Sequence, residues 1–253
     1  MKQIIGGNWK MNGSVSTGLD FLKKMKESGS GSVSSDIVLF PPFTLLPVLR
    51  DAAADAGIET GGQDLFWLEK GAFTGEISPA MLVDAGASCF IAGHSERRHV
   101  IGETDEIVRR KLEAGLETGL RGILCVGELI EERESNRTEE VVRRQIESAL
   151  DGLDCASPDN LVIAYEPVWA IGTGLTATPD EADRMHSLIR EWIAGIMSND
   201  FADNTRIQYG GSVKPDNASE ILTKPSINGA LVGGASLSAA SFMEIIKAVP
   251  SRE

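Results

Sequence analysis

The strongest chemical signal in the sequence is a carboxylate that closes an apolar run. Leu161-Val162-Ile163-Ala164-Tyr165 ends at Glu166 and then Pro167. A charge in that position is costly unless it is paired or used, and burial is how a carboxylate becomes an effective general base. A salt-bridged strand end is the plain alternative. A second run, Cys89-Phe90-Ile91-Ala92-Gly93, ends at His94, just before Ser95, a candidate helix cap. The partial positive charge of a helix start disfavours an imidazolium, which leaves a neutral ring able to donate to a carbonyl oxygen. Near the N-terminus another run closes on Asn8-Trp9-Lys10 and offers an amide and a cation. Glu96 is placed either to pair with Lys10 or to stabilise the helix start. His99 and His186 fall within expected helices and read as ordinary.

Two glycine pairs follow later runs, in Tyr209-Gly210-Gly211-Ser212 and Val232-Gly233-Gly234-Ala235-Ser236. Paired glycines let backbone N–H groups approach a ligand closely, and amides at helix starts bind phosphate without basic side chains. One such pair is only a tight turn; two at consecutive strand ends point to a phosphate cradle. Beside Glu166, the segment Pro167-Val168-Trp169-Ala170-Ile171-Gly172-Thr173-Gly174 is apolar with proline and glycine flanks. It reads as a hinged lid, or more plainly as a packed irregular loop. Base, neutral donor, cation, phosphate cradle and lid together suit proton abstraction next to a carbonyl in a small phosphorylated substrate.

These residues need a scaffold that brings several strand ends together. Short apolar runs recur at Gln3–Trp9, Asp36–Pro42, Ile58–Asp64, Ser88–Gly93, Gly122–Val126, Leu161–Glu166, Arg206–Gly210 and Ala230–Gly233. Continuous apolar runs are how strands buried on both faces read. Helix signals lie between them. Thr178-Pro179-Asp180-Glu181 is a capping box with proline at the first helical position. Ala182, Met185, Ile189, Trp192, Ile193 and Ile196 follow as an apolar stripe, and Val141, Val142, Ile146, Ala149 and Leu150 form another. Pro215 is expected to open a helix after Ser212, and Ser236 to cap the last one. Ser28–Ser35, rich in Gly and Ser, reads as a loop. The pattern predicts an α/β chain folded as one closed (β/α)8 barrel over residues 1–253, with chemistry at the C-terminal ends of the strands. A doubly wound open sheet is the rival, weakened by the lack of a G-x-G-x-x-G after the first strand.

The chain has 253 residues and a net charge of −13. That length supports a sizeable core, and the acidic excess argues against nucleic acid or an anionic membrane as partner. No run is apolar and long enough to span a membrane, and the N-terminus does not read as a signal peptide. Cys89, Cys125 and Cys155 are the three cysteines. Their odd number and lack of C-x-x-C spacing argue against a disulfide framework or a zinc site and fit reduced thiols in the cytoplasm.

The motifs resemble the triosephosphate isomerase family over nearly the whole length. They are Gly7-Asn8-Trp9-Lys10-Met11-Asn12, Gly71-Ala72-Phe73-Thr74-Gly75-Glu76, Ala92-Gly93-His94-Ser95-Glu96-Arg97-Arg98, Ala164 through Gly174, Tyr209-Gly210-Gly211-Ser212 and Leu231 through Leu237. The resemblance implies a TIM barrel that interconverts dihydroxyacetone phosphate and glyceraldehyde 3-phosphate, in glycolysis and gluconeogenesis, without metal or organic cofactor. Glu166 matches the family's base and His94 its electrophile, roles established for the family rather than read from spacing. Lys10 and Asn8 match groups that stabilise the enediolate, and Glu96 the carboxylate beside the lysine. Gly172, Ser212, Gly233 and Gly234 match the phosphate grip, and Glu128 and Trp169 match residues that position the lid. Phe73, Thr74 and Gly75 match a loop that enters a neighbouring subunit, which implies a homodimer.

Three positions depart from the family pattern. Asp64 replaces a usual Asn, and its extra carboxylate near an interface implies pH-sensitive association. Asn228 replaces a usual Asp, leaving Arg190 a neutral acceptor, and Leu175 replaces a common Lys after the lid glycines. Two rival readings are another phosphate-binding barrel, such as a lyase or synthase, and a non-catalytic barrel scaffold. The first has no evident use for both Glu166 and His94, and the second no reason to keep Glu166, His94 and Lys10.

Overall fold

The computed structural model describes residues 1–154, 157–170 and 177–250. The strands are β1 Ile4–Asn8, β2 Asp36–Phe40, β3 Glu59–Gly62, β4 Cys89–Ala92, β5 Arg121–Val126, β6 Leu161–Tyr165, β7 Arg206–Tyr209 and β8 Gly229–Val232. All pairings are parallel, and β8 pairs back to β1 with Ile4 opposite Gly229, so the sheet closes on itself. The helices are α1 Val15–Glu27, α2 Leu46–Asp55, α3 Pro79–Asp84, α4 Asp105–Glu117, α5 Ile130–Glu134, α6 Thr138–Leu150, α7 Pro179–Ile196, α8 Asn199–Asn204, α9 Ala218–Leu222 and α10 Ala239–Lys247. Each expected run overlaps one strand with ends that differ by a residue or two; β5 and β8 begin one residue earlier than expected, at Arg121 and Gly229.

The side-chain period of two sorts the core into two layers. Ile4, Val38, Phe40, Cys89, Ile91, Ile123, Cys125, Val162, Ala164 and Leu231 fill the barrel interior. Their neighbours Ile5, Leu39, Phe90, Leu124, Ile163 and Tyr165 face outward into the larger cluster shared with the helices. This double burial is why the runs are continuously apolar. The stripes on α6 and α7 seal the outside: Val141, Val142, Ile146, Ala149 and Leu150 are buried, as are Ala182, Met185, Ile189 and Ile193. Trp192 and Ile196 are only partly buried at the same cluster.

The capping box of α7 forms as expected. The Glu181 amide donates to the Thr178 hydroxyl at 3.2 Å, and the Thr178 amide donates to the Glu181 carboxylate at 2.9 Å. Two other expected helix starts are corrected. Pro215 lies in a turn, and α9 begins at Ala218 behind Asn217, because the Asn217 side chain accepts from the Lys214 amide and closes that turn first. Ser236 lies in a 3-10 turn over Gly234–Leu237, with its hydroxyl donating to the Gly233 carbonyl; Ser238 caps α10. Ser95 makes no side-chain cap on the π-type turn Arg97–Ile101 that follows it.

Candidate active site

The end of β1 is held in an unusual backbone conformation. Lys10 has φ +53, a left-handed value that costs a non-glycine residue about 1 kcal/mol. Local hydrogen bonds offset it. The Lys10 amide donates to the Asn8 side-chain oxygen at 2.9 Å. Gln63, just past β3, donates its side-chain amide to the carbonyls of Lys10 and Phe40, both at 2.8 Å. The Lys10 ammonium thereby reaches Glu96 at 2.7 Å. Nothing in the local sequence marks Gln63; its role comes from a tertiary contact across two strand ends.

His94 and Glu166 meet across the barrel mouth, with His94 Nε2 3.1 Å from Glu166 Oε1. His94 Nδ1 accepts the Glu96 backbone N–H at 3.2 Å, so the ring proton sits on Nε2 and the neutral imidazole donates to Glu166. The other Glu166 oxygen accepts the Ser95 amide at 2.9 Å. Both side chains are almost completely buried. Among the described residues, Glu166 has no lysine or arginine ion-pair partner. The backbone below it is crowded: a Cβ on Gly127 would lie 1.7 Å from the Glu166 carbonyl oxygen, so only glycine fits there.

These residues open onto a cavity of about 480 Å³. One side is formed by Asn8, Lys10, His94 and Glu166, the other by the glycine pairs after β7 and β8 with Ser212, Val213, Lys214 and Ala235. The Tyr209 ring sits directly beneath the first pair; a Cβ on Gly211 would stand 2.2 Å from its hydroxyl. Ser212, Gly233 and Gly234 therefore line the same space as the base and the imidazole. Gly172 lies outside the described residues.

The leading part of the expected lid is anchored. Val168–Ala170 forms a 3-10 turn directly after Glu166-Pro167. The Val168 amide donates to the Glu128 carbonyl at 3.1 Å, and Trp169 Nε1 donates to the Glu128 carboxylate at 2.8 Å. The Tyr165 hydroxyl donates to the same carboxylate at 3.1 Å, and the Arg133 guanidinium stacks 4.3 Å over the Trp169 ring. Burial pushes the Glu128 carboxyl up, against the pull of the Trp169 and Tyr165 donors. Ile171, Gly172, Thr173 and Gly174 of the lid, with Leu175 and Cys155, lie outside the described residues.

A second cavity of about 540 Å³ adjoins the first and shares Asn8, Lys10 and His94 with it. Exposed Met11, Val100 and Ile101 line it. Phe73, Thr74 and Gly75 are exposed and not brought to either cavity in this chain; the Phe73 ring packs 4.5 Å from Phe66. Beneath the second cavity Asp64 is buried against Lys111 at 2.6 Å and Arg97 at 2.8 Å. Lys111 and Arg97 also hold Glu103. Burial pushes the Asp64 carboxyl up to about 6, with Lys111 opposing. Arg190 donates to the Asn228 side-chain oxygen at 2.7 Å, the neutral acceptor the sequence implies. His99 lines neither cavity. His186 is fully buried in α7, and burial holds its imidazole down to about 3.

The chain as a whole is similar to known proteins. The family model described as triosephosphate isomerase matches residues 3–249. A triosephosphate isomerase of Rhodopirellula baltica is 49% identical over 248 residues, covering 98% of each chain. One from Citrifermentans bemidjiense is 49% identical over 246 residues, 97% of this chain and 98% of that one. The crystal structure of triosephosphate isomerase from Bartonella henselae superposes with a TM-score of 0.89 at 40% identity, covering 98% of this chain and 99% of that one.

Proposed function

Because the chain belongs to the triosephosphate isomerase family and so interconverts dihydroxyacetone phosphate and D-glyceraldehyde 3-phosphate, we propose that Glu166 is its base and His94 its electrophile. The Glu166 carboxylate takes a proton from C1 of the ketone. The electrons of that C–H bond form the C1–C2 double bond, and the carbonyl electrons move onto its oxygen. His94 donates its Nε2 proton toward that oxygen, and the Lys10 ammonium offsets the developing charge. Protons then exchange between the two oxygens through His94, and Glu166 returns its proton to C2. The second oxygen becomes the aldehyde carbonyl. Asn8 orients the oxygens, and Glu96 fixes the lysine.

One observation carries this reading. Glu166 is a nearly buried carboxylate that accepts an amide and a neutral imidazole N–H and, among the described residues, pairs with no lysine or arginine, at the mouth of a cavity that also holds Lys10. Such a carboxylate exchanges weak partners for the substrate carbon at low cost. Its resting bond to Ser95 must break as it turns inward. The phosphate seats on the amides around Ser212, Gly233 and Gly234, completed by Gly172, and the lid Pro167–Gly174 closes to exclude water and protect the enediolate from losing phosphate.

The exposed Met11, Val100 and Ile101 beside the site support a homodimer, with the partner's copy of the Phe73-Thr74-Gly75 loop filling the second cavity. Buried, unpaired Cys89 and Cys125 suit a cytoplasmic protein, and residues 1–253 make one domain. The reaction is a step of glycolysis and gluconeogenesis. A coupled assay of triose phosphate interconversion tests the reading. The parent turns over rapidly and Glu166→Gln falls by about 10³-fold or more; an inactive parent, or a fully active variant, overturns it. Sedimentation gives a dimer; a monomer with full turnover contradicts the role of Thr74.

A further inference from the structure

The cavity takes a phosphate dianion, yet its charges nearly cancel. Its charged lining consists of Lys10, Glu166 and Lys214. The Lys10 ammonium is bound to Glu96 at 2.7 Å, and Glu166 contributes a negative charge at the same end. Lys214 is the remaining cation. It stands at the glycine-pair end, beside Ser212, and among the described residues it is in no ion pair.

Its position is set by the backbone. The Lys214 amide donates to the Asn217 side-chain oxygen at 2.8 Å, and the Asn217 side-chain amide donates to the Ser212 carbonyl at 2.9 Å. The Ala218 amide, at the start of α9, closes on the Lys214 carbonyl at 3.0 Å. One asparagine thus fixes both Ser212 and the root of Lys214, while the lysine side chain stays exposed at the cavity rim. In a chain of net charge −13, an unpaired cation at the mouth shapes the local field that an approaching dianion meets.

We propose that Lys214 is a phosphate-side binding residue that draws in and holds the substrate's phosphate by charge, separately from the Lys10 that serves the reacting carbons. This rests on the cavity being the triose phosphate site. An exposed lysine near a dianion is worth a modest amount, so Lys214→Met raises KM and weakens competitive inhibition by inorganic phosphate by about 3- to 10-fold each. The loss falls in KM rather than kcat. The dependence of kcat/KM on salt becomes shallower.

The test compares the parent, Lys214→Met and Lys214→Arg in three assays: triose phosphate turnover at several ionic strengths, inhibition by inorganic phosphate, and slow turnover of unphosphorylated glyceraldehyde. The expected result is a KM and phosphate-inhibition defect in Lys214→Met, recovered by Lys214→Arg, with the glyceraldehyde rate unmoved. Unchanged phosphate inhibition and salt slope in Lys214→Met overturn the proposal. So does an equal loss with glyceraldehyde, which marks a disturbed loop. A parent without triose phosphate turnover refutes the isomerase assignment instead, so the two failures are distinguishable.

Discussion

Glu166 and Asp64 are both nearly buried carboxylates near the C-terminal ends of barrel strands, and they have opposite surroundings. Asp64 is clasped by an ammonium at 2.6 Å and a guanidinium at 2.8 Å, with Glu103 on the same two cations. Glu166 has an amide and a neutral imidazole. Asp64 therefore has no freedom: moving it uncovers buried cations. Glu166 has little to lose by moving and faces an open cavity. Burial alone does not mark a catalytic carboxylate; burial without a compensating cation, next to space for a ligand, does.

The same isosteric change has its largest and most different effects at these two positions. Glu166→Gln lowers kcat by about 10³-fold or more while leaving the melting temperature close to the parent's. Asp64→Asn leaves kcat within a few-fold and moves stability instead. Calorimetry and the coupled assay on both variants check this; a catalytic collapse in Asp64→Asn, with the protein folded, would merge the two roles.

The next effect concerns the cations that Asp64 and Glu103 share. Lys111→Met strands two buried carboxylates on Arg97 alone and destabilises the fold by about 3 kcal/mol, measured by urea unfolding. A stability equal to the parent's would show the cluster to be inessential.

The smallest effect depends on pH. The Asp64 carboxyl lies at about 6 in the folded protein, above its ordinary 3.8. A raised carboxyl favours the folded state below its unfolded value, and that advantage is lost as pH rises through about 6. Asparagine does not titrate. The stability of Asp64→Asn relative to the parent therefore rises by about 2 kcal/mol between pH 4 and pH 7. A flat difference would mean that Lys111 and Arg97 fully cancel the burial. Sedimentation over the same range shows whether association follows.

The barrel was legible because parallel strands buried on both faces leave continuous apolar runs, and five of the eight runs carried chemical residues at their ends. Glu166, His94, Lys10 and the glycine pairs needed only that rule to be placed together. The helix starts at Pro215 and Ser236 were misplaced because each residue type suits a tight turn as well as a cap, and Asn217 and Ser238 compete for the true start. Gln63 and the Asp64–Lys111 clasp were not legible as contacts. They join residues far apart in the chain, and nothing local in either segment requires the other. Asp64 was visible only as a departure; its cations were not.

In the proposed reaction Glu166 itself carries the proton between the two carbons. Deuterium uptake from heavy water into C1 of dihydroxyacetone phosphate measures that step directly. The parent enzyme incorporates deuterium at C1, and Glu166→Gln shows almost none while still binding inorganic phosphate. Exchange at the parent's rate in a folded Glu166→Gln would place the base elsewhere and contradict the account.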